Sequence, residues 1–319
     1  MTLRSVLSED DVPKAVTVRS PIRPWSYEEA FCRNRGLISE TDQQLLRHSR
    51  IAIAGMGGVG GIHLITLARL GVGSFHIADP DTFDIPNFNR QYGATVHTLH
   101  ANKAQVMAEQ VQAINPEVRL KVFTEPITPA NVGEFLKDTQ LFIDGIDFFA
   151  MDTRRMVFRE ARARGIWGLT AGPIGFSTAW LVFSPTGMSF DDYFDLQDGM
   201  DELDQMIAFL VGLAPRATQR AYADVSKVDP QRRQGPSTGL ACHLSSGVAA
   251  AEAIKILLGK GTIRPAPHYF QFDAYRHKLC RGRLWWGNRN PLQRLKRWLF
   301  RRYAEKLGWD QASSVTPSR

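Results

Sequence analysis

The sequence predicts an α/β protein built on a doubly wound, mostly parallel sheet, with a crossover insertion and a basic helical tail at the C-terminus. Three observations predict it. A short apolar run, Ile51–Ala54, breaks into Gly55, Gly57 and Gly60 at G-x-G-x-x-G spacing, and Ile62–Leu70 then continues with helical periodicity. Strand-length apolar runs alternate with helical patterns as far as Ala171, the order of parallel strands joined by crossover helices. An acidic residue, Asp79, closes the next strand, Ser74–Ala78, at the distance expected of one that grips a ribose hydroxyl.

The elements follow in chain order. Residues 1–30 form an N-terminal arm carrying Pro21 and Pro24, and Ser39 caps a helix running to Arg47. Beyond the glycine loop, its helix and the strand before Asp79, a long loop holds Asn87, Arg90 and Gln91. A helix over Ala101–Ile114 turns Ala104, Met107, Ala108 and Val111 to one side and stops at Asn115-Pro116. Next come a strand at Arg119–Phe123, a helix at Pro129–Leu136 capped by Thr128, and a strand at Gln140–Asp144. A helix at Met151–Arg164 and strands at Ile166–Ala171 and Ala179–Phe183 complete this part. The crossover segment, residues 185–239, contains the run Ser189–Asp204 with seven Asp/Glu and no Lys/Arg, a helix at Gln205–Leu213, and a polar loop at Pro230–Thr238. A helix rich in small residues, Ala241–Leu258, ends at Gly259, a natural C-terminal cap.

Composition narrows the classes. With 319 residues, 44% hydrophobic and 22% charged, the chain has room for one large domain with insertions. Its three cysteines, Cys32, Cys242 and Cys280, are far apart, which gives neither a disulfide framework nor a four-cysteine structural zinc site and points to a reducing, cytoplasmic setting. The N-terminal stretch lacks the apolar core of a signal peptide, and no window approaches the ~20 uninterrupted apolar residues of a membrane span. The net charge of +7 is uneven: between Arg281 and Lys306 nine Lys/Arg stand against one acidic residue, so the rest of the chain is near neutral.

The Rossmann-like glycine loop lets the backbone turn tightly and lets a phosphate chain approach N–H groups at a helix N-terminus. A nucleotide follows, but the glycines do not distinguish a redox cofactor from a substrate. The loop beyond does. Asp79-x-Asp81, Asn87-x-x-Arg90-Gln91 and Lys103 bring two cations, and Asp144-Gly-Ile-Asp147 brings a carboxylate at another strand end. Cations around a phosphate chain with a carboxylate for Mg²⁺ suit nucleotidyl transfer; hydride transfer needs none of them.

With those residues in place, the sequence resembles the ThiF/MoeB/HesA-type adenylyltransferases, the ubiquitin-activating-like family. The resemblance spans roughly Phe31–Gly261. It rests on Arg35 in Arg-Asn-Arg-Gly-Leu, the Gly55-Met-Gly57-Gly58-Val-Gly60 loop, Asp79, Asp81, Asn87, Arg90, Gln91, Lys103, Asp147 and the helix Ala250-Ala-Glu-Ala-Ile-Lys255. It implies an adenylation domain over residues 31–280 that uses ATP and Mg²⁺ to turn a C-terminal carboxylate into an acyl-adenylate with release of pyrophosphate. The substrate implied is a ubiquitin-like or sulfur-carrier protein. By the same resemblance Asp79 holds the ribose, Asn87, Arg90 and Lys103 bind phosphates, Asp147 holds Mg²⁺, and Arg35 reaches across a homodimer. Two departures stand out: Pro86-Asn87 where the family often has Ser-Asn, and Asp147-Phe148 with Arg154 and Arg155 seven and eight residues on.

Cys242 is a candidate thioester nucleophile, because it follows the polar loop and sits near a helix N-terminus that stabilises a thiolate. Cys32 and Cys280 read as structural, and His63, His97 and His100 as packing or surface residues. The tail, residues 281–319, places Leu292, Leu295, Leu299 and Tyr303 on one helical stripe. Such a helix docks on its own body or a second subunit, or meets tRNA or an anionic membrane. The competing functions are a threonylcarbamoyl-adenosine dehydratase-like tRNA enzyme, an NAD(P)-dependent oxidoreductase, and a non-catalytic nucleotide-binding scaffold.

Overall fold

The computed structural model describes residues 24–229 and 232–309; the start of the N-terminal arm with Pro21, Pro230 of the polar loop, and the end of the tail lie outside them. The chain opens with α1 (Tyr27–Ala30), α2 (Glu40–His48), β1 (Arg50–Ala54), α3 (Gly60–Arg69) and β2 (Ser74–Ala78). It continues through α4 (Lys103–Ile114), β3 (Arg119–Phe123), α5 (Val132–Phe135), β4 (Leu141–Asp144) and α6 (Met151–Ala163). Then come β5 (Trp167–Ile174), β6 (Ser177–Phe183), α7 (Phe190–Phe194), α8 (Glu202–Leu213) and α9 (Gly239–Leu258). β7 (His268–Asp273), β8 (Lys278–Arg283) and α10 (Pro291–Lys306) close the chain.

One eight-stranded sheet has the order β3-β2-β1-β4-β5-β6-β7-β8. The pairings from β3 through β5 are parallel; those from β5 through β8 are antiparallel. Period-two alternation divides the strands between two cores. Ile51, Ile53, Ile143 and Leu169 pack with Leu64, Met107 and Ala249 of α3, α4 and α9. Ala52, Phe142 and Leu181 face the other way, onto Val157, Phe158 and Phe209 of α6 and α8. Helices therefore cover both faces. From β1 the chain winds outward through β2 to β3 and then crosses back to β4 on the other side of β1, so the strand order reverses between β1 and β4 at their carboxyl ends.

Ser39 caps α2 by accepting from Asp42 N–H, as expected. Thr128 does not cap α5. The Asn131 side chain instead accepts from Thr128 N–H at 2.8 Å, and the helix is one short turn beginning at Val132. Helix α9 is long and apolar enough, by length and mean hydropathy, to cross a bilayer, which the reading of uninterrupted apolar runs did not anticipate. Its hydroxyls bind it into the core: Ser246 donates to Thr66 at 2.8 Å and to the Ile62 carbonyl at 3.0 Å, and Ser245 donates to Thr178 at 2.9 Å. Gly259 caps it at φ +62°, a conformation that suits glycine.

The tail boundary departs from expectation, since residue 281 falls inside β8, whereas the helix carrying the leucine stripe runs from Pro291. α10 does dock on its own body, through Phe300, Ala304 and a set of ion pairs rather than through the leucine stripe. Arg297 pairs with Asp195 at 2.8 Å, and Arg301 pairs with Asp201 at 2.7 Å and Asp204 at 3.0 Å, so the acidic run of the crossover receives the basic tail. The leucine stripe points to solvent.

Candidate active site

The glycines are required by space. Gly55 has φ +87°, and a methyl group on it would stand 2.0 Å from the Gly145 carbonyl oxygen; one on Gly60 would stand 1.6 Å from the Gly55 carbonyl oxygen. The turn after β1 and the loop after β4 are thus in backbone contact, possible only without side chains. Val59 precedes α3 and offers no capping oxygen, and the N–H groups of Gly57, Gly58 and Val59 make no hydrogen bond among the described residues. An uncapped helix start of this kind carries partial positive charge and unpaired donors, which suits a phosphate.

Asp79 clamps this turn. One carboxylate oxygen accepts from Met56 N–H at 2.6 Å and the other from Asp81 N–H at 2.9 Å. Burial raises its pKa, against the lowering influence of those N–H groups and of Lys103. Lys103, buried at the start of α4, pairs with exposed Asp81 at 3.2 Å. Arg90 donates to the Pro86 carbonyl at 2.8 Å and lies alongside Gly58, while the Gln91 amide lies over Gly57. Gln91 Oε1 is buried with no partner among the described residues, a polar atom left over beside the turn. Asn87 spends its carbonyl oxygen on Asp84 N–H, which rigidifies the loop.

Asp147 lies exposed on the β4 loop, and one of its oxygens accepts from Phe149 N–H at 2.8 Å. A network that sequence reading missed fixes this loop. Asp144, at the end of β4, accepts from Arg154 Nε and from Thr170 Oγ1, each at 2.9 Å, and from Ile146 N–H at 3.1 Å. Arg154 also donates to the carbonyls of Ile146 and Asp147 and sits 4.6 Å over the Phe209 ring of α8. The only signal for it was the Arg154-Arg155 pair itself. Arg155 pairs with Asp191 and Asp198.

The carboxylates and phosphate-ready donors fit ATP with a divalent ion. Asp147 is the available carboxylate for the metal, and Arg90, Lys103 and the α3 N–H groups are the available donors for phosphates. Arg35 stands apart from this cluster, exposed, with Glu40 at 3.6 Å.

The three cysteines differ in their surroundings. Cys242 lies in the first turn of α9 against Gly58, and burial pushes its thiol up to about 11, so it stays neutral near pH 7 despite the helix N-terminus. Its neighbour His243 faces solvent. Cys32 is exposed; Cys280 is buried. His63 is fully buried with neither ring nitrogen partnered among the described residues, and desolvation lowers its pKa to about 3, which agrees with a packing role.

Comparison with known proteins adds to this geometry. The ThiF family profile matches residues 31–294. A probable adenylyltransferase/sulfurtransferase MoeZ from Mycobacterium tuberculosis is 28% identical over 248 residues, 76% of this chain and 57% of MoeZ. The tRNA threonylcarbamoyladenosine dehydratase of Escherichia coli is 35% identical over 123 residues, 38% of this chain and 46% of that enzyme. The chain thus spans about half the length of these curated relatives. The crystal structure of E. coli MccB with ATP aligns at a TM-score of 0.57 with 15% identity, over 76% of this chain and 65% of that one, a likeness of fold.

Proposed function

The chain belongs to the ThiF family, and from that premise we propose that it is a Mg-ATP-dependent adenylyltransferase. Its substrate is a carboxylate, the C-terminus of a ubiquitin-like or sulfur-carrier protein. A carboxylate oxygen attacks the α-phosphorus of ATP, the bond to the bridging oxygen breaks, and pyrophosphate leaves with the electron pair. The nucleophile is already ionised at neutral pH, so no general base is required. Arg90, Lys103 and the α3 N–H groups neutralise the charge that grows on the phosphates. Asp147 would hold the magnesium, which supplies further neutralisation of the triphosphate. Asp79 keeps the turn closed and presents the ribose site.

One observation carries this reading: the ends of β1, β2 and β4 gather an uncapped helix start, two buried or half-buried cations and an exposed carboxylate around one glycine turn. An NAD(P) site would leave Arg90, Lys103 and Asp147 without work. The exposure of Arg35, with Leu37, Ile85 and Val96 also exposed, supports a homodimer in which Arg35 completes the partner's site. A second reading, dehydration of a tRNA-borne carboxylate through the same adenylate, is favoured by the match to the E. coli dehydratase.

Magnesium-dependent exchange of labelled pyrophosphate into ATP tests the proposal. Exchange that rises when a carrier protein ending in Gly-Gly is added supports it. Exchange that rises only with threonylcarbamoylated tRNA moves the assignment to the second reading, and no exchange with either, together with NADH binding, overturns both.

A further inference from the structure

We propose that α10 is a membrane-contact element that lays its outward stripe on an anionic phospholipid surface. The helix is held to the body by Phe300 and Ala304 against the core and by hydrogen bonds and ion pairs, yet a second apolar stripe on it is left outside. Gln293 and Ala304 are buried, while Leu292, Leu295, Trp298 and Leu299 are each at least half exposed and Tyr303 is 44% exposed.

The cations of α10 divide in the same way. Lys296, Arg297 and Arg301 turn inward, to the Pro215 carbonyl and to Asp195, Asp201 and Asp204. Arg294, Arg302 and Lys306 are exposed and make no ion pair among the described residues. Arg302 lies 4.9 Å over the Trp298 ring, and just ahead of the helix Arg283 lies 3.7 Å over exposed Trp285. Leucine and tryptophan bordered by free cations match the boundary between acyl chains and acidic headgroups.

Charge favours lipid over the other occupants. A second copy seated on this stripe would bring Arg294, Arg302 and Lys306 against their own equivalents, offset only by Glu305, which already pairs with Arg301 at 3.1 Å. An RNA backbone would satisfy the cations and leave the leucines in water.

The test is sedimentation of the full chain with vesicles of phosphatidylcholine alone and with about 30% phosphatidylserine added. Binding to the anionic vesicles, weakened by salt, is expected. The pairs Leu295→Glu/Leu299→Glu and Arg294→Glu/Arg302→Glu should each reduce it at least about tenfold, with nucleotide binding unchanged as the sign of an intact fold. Equal sedimentation with both vesicle types, or no effect of either variant, overturns the proposal. So does a shift from dimer to monomer in the leucine variant by light scattering, which assigns the stripe to a second copy. Filter retention of RNA lost only in the arginine variant overturns it in favour of RNA. None of these outcomes depends on the adenylation chemistry.

Discussion

Replacing Arg154 with Met strips the buried Asp144 carboxylate of its counter-charge. The two side chains are 3% and 2% exposed and meet at 2.9 Å, so water cannot take the lost partner's place. Removing one member of such a pair costs about 3–5 kcal/mol. With a melting entropy of about 2.1 cal/mol/K per residue over the chain's 319 residues, the melting temperature should fall by roughly 4–8 °C. Asp144→Asn keeps the acceptor for Thr170 and Ile146 while removing the charge, so the double variant should recover about 2 kcal/mol or more relative to the sum of the singles. Arg154 also holds the Ile146 and Asp147 carbonyls, and its loss should raise the magnesium needed for half-maximal exchange. Thermal melts and magnesium titrations of the four proteins supply the cycle. Single variants that lose less than about 1 kcal/mol, with the double equal to their sum, would refute the reasoning.

His63 makes stability depend on pH. Its folded pKa of about 3 lies below the ordinary 6.5, so the unfolded chain takes up a proton that the folded chain refuses. The contribution is therefore complete above pH 6.5 and falls by about 1.4 kcal/mol per pH unit below it; His63→Leu should remove that slope, read as the difference in urea midpoints at about pH 7 and pH 5. Gly60→Ala should abolish ATP binding and lower stability, because its methyl meets backbone at 1.6 Å. Gly58→Ala, whose tightest contact is a side-chain atom, the Cys242 sulfur at 3.1 Å, should fold, and calorimetry with ATP separates the two. With maleimide near pH 7, exposed Cys32 should label in the native protein and Cys242 only after unfolding, while Cys242→Ser should keep pyrophosphate exchange; rapid native labelling of Cys242 contradicts the burial argument.

Most of the parallel half was legible from strand-length runs between helical patterns: the buried Ser74–Ala78 and the edge strand Arg119–Phe123 both have the predicted limits. β7 and β8 were not. β8 is an edge strand whose Lys278, Arg281 and Arg283 stand in solvent, and edge charge reads as tail. Within the site, the glycines, Asp79, Arg90, Gln91 and Lys103 come together because short-range spacing encodes them. Arg154 was hidden because its partner Asp144 lies ten residues away, on another element. For Cys242 the helix N-terminus was visible in the sequence, whereas the burial that raises its thiol pKa was not. The amphipathic pattern of α10 was plain, but which side it buries depends in part on Asp195, Asp201 and Asp204, 97 to 102 positions earlier.

The stretch from Phe183 to Gly239 leaves the sheet at one end of β6 and returns beside Arg90, where Asn89 donates to the Ser237 carbonyl at 2.9 Å. It contributes its own aromatic packing, with the Phe194 ring 4.7 Å from Phe190 and 5.0 Å from Phe209. The glycine turn after β1 is assembled wholly from segments outside this stretch. Such a strap can diverge along much of its length without disturbing the glycine turn, provided the seat of Arg154 on Phe209 is kept.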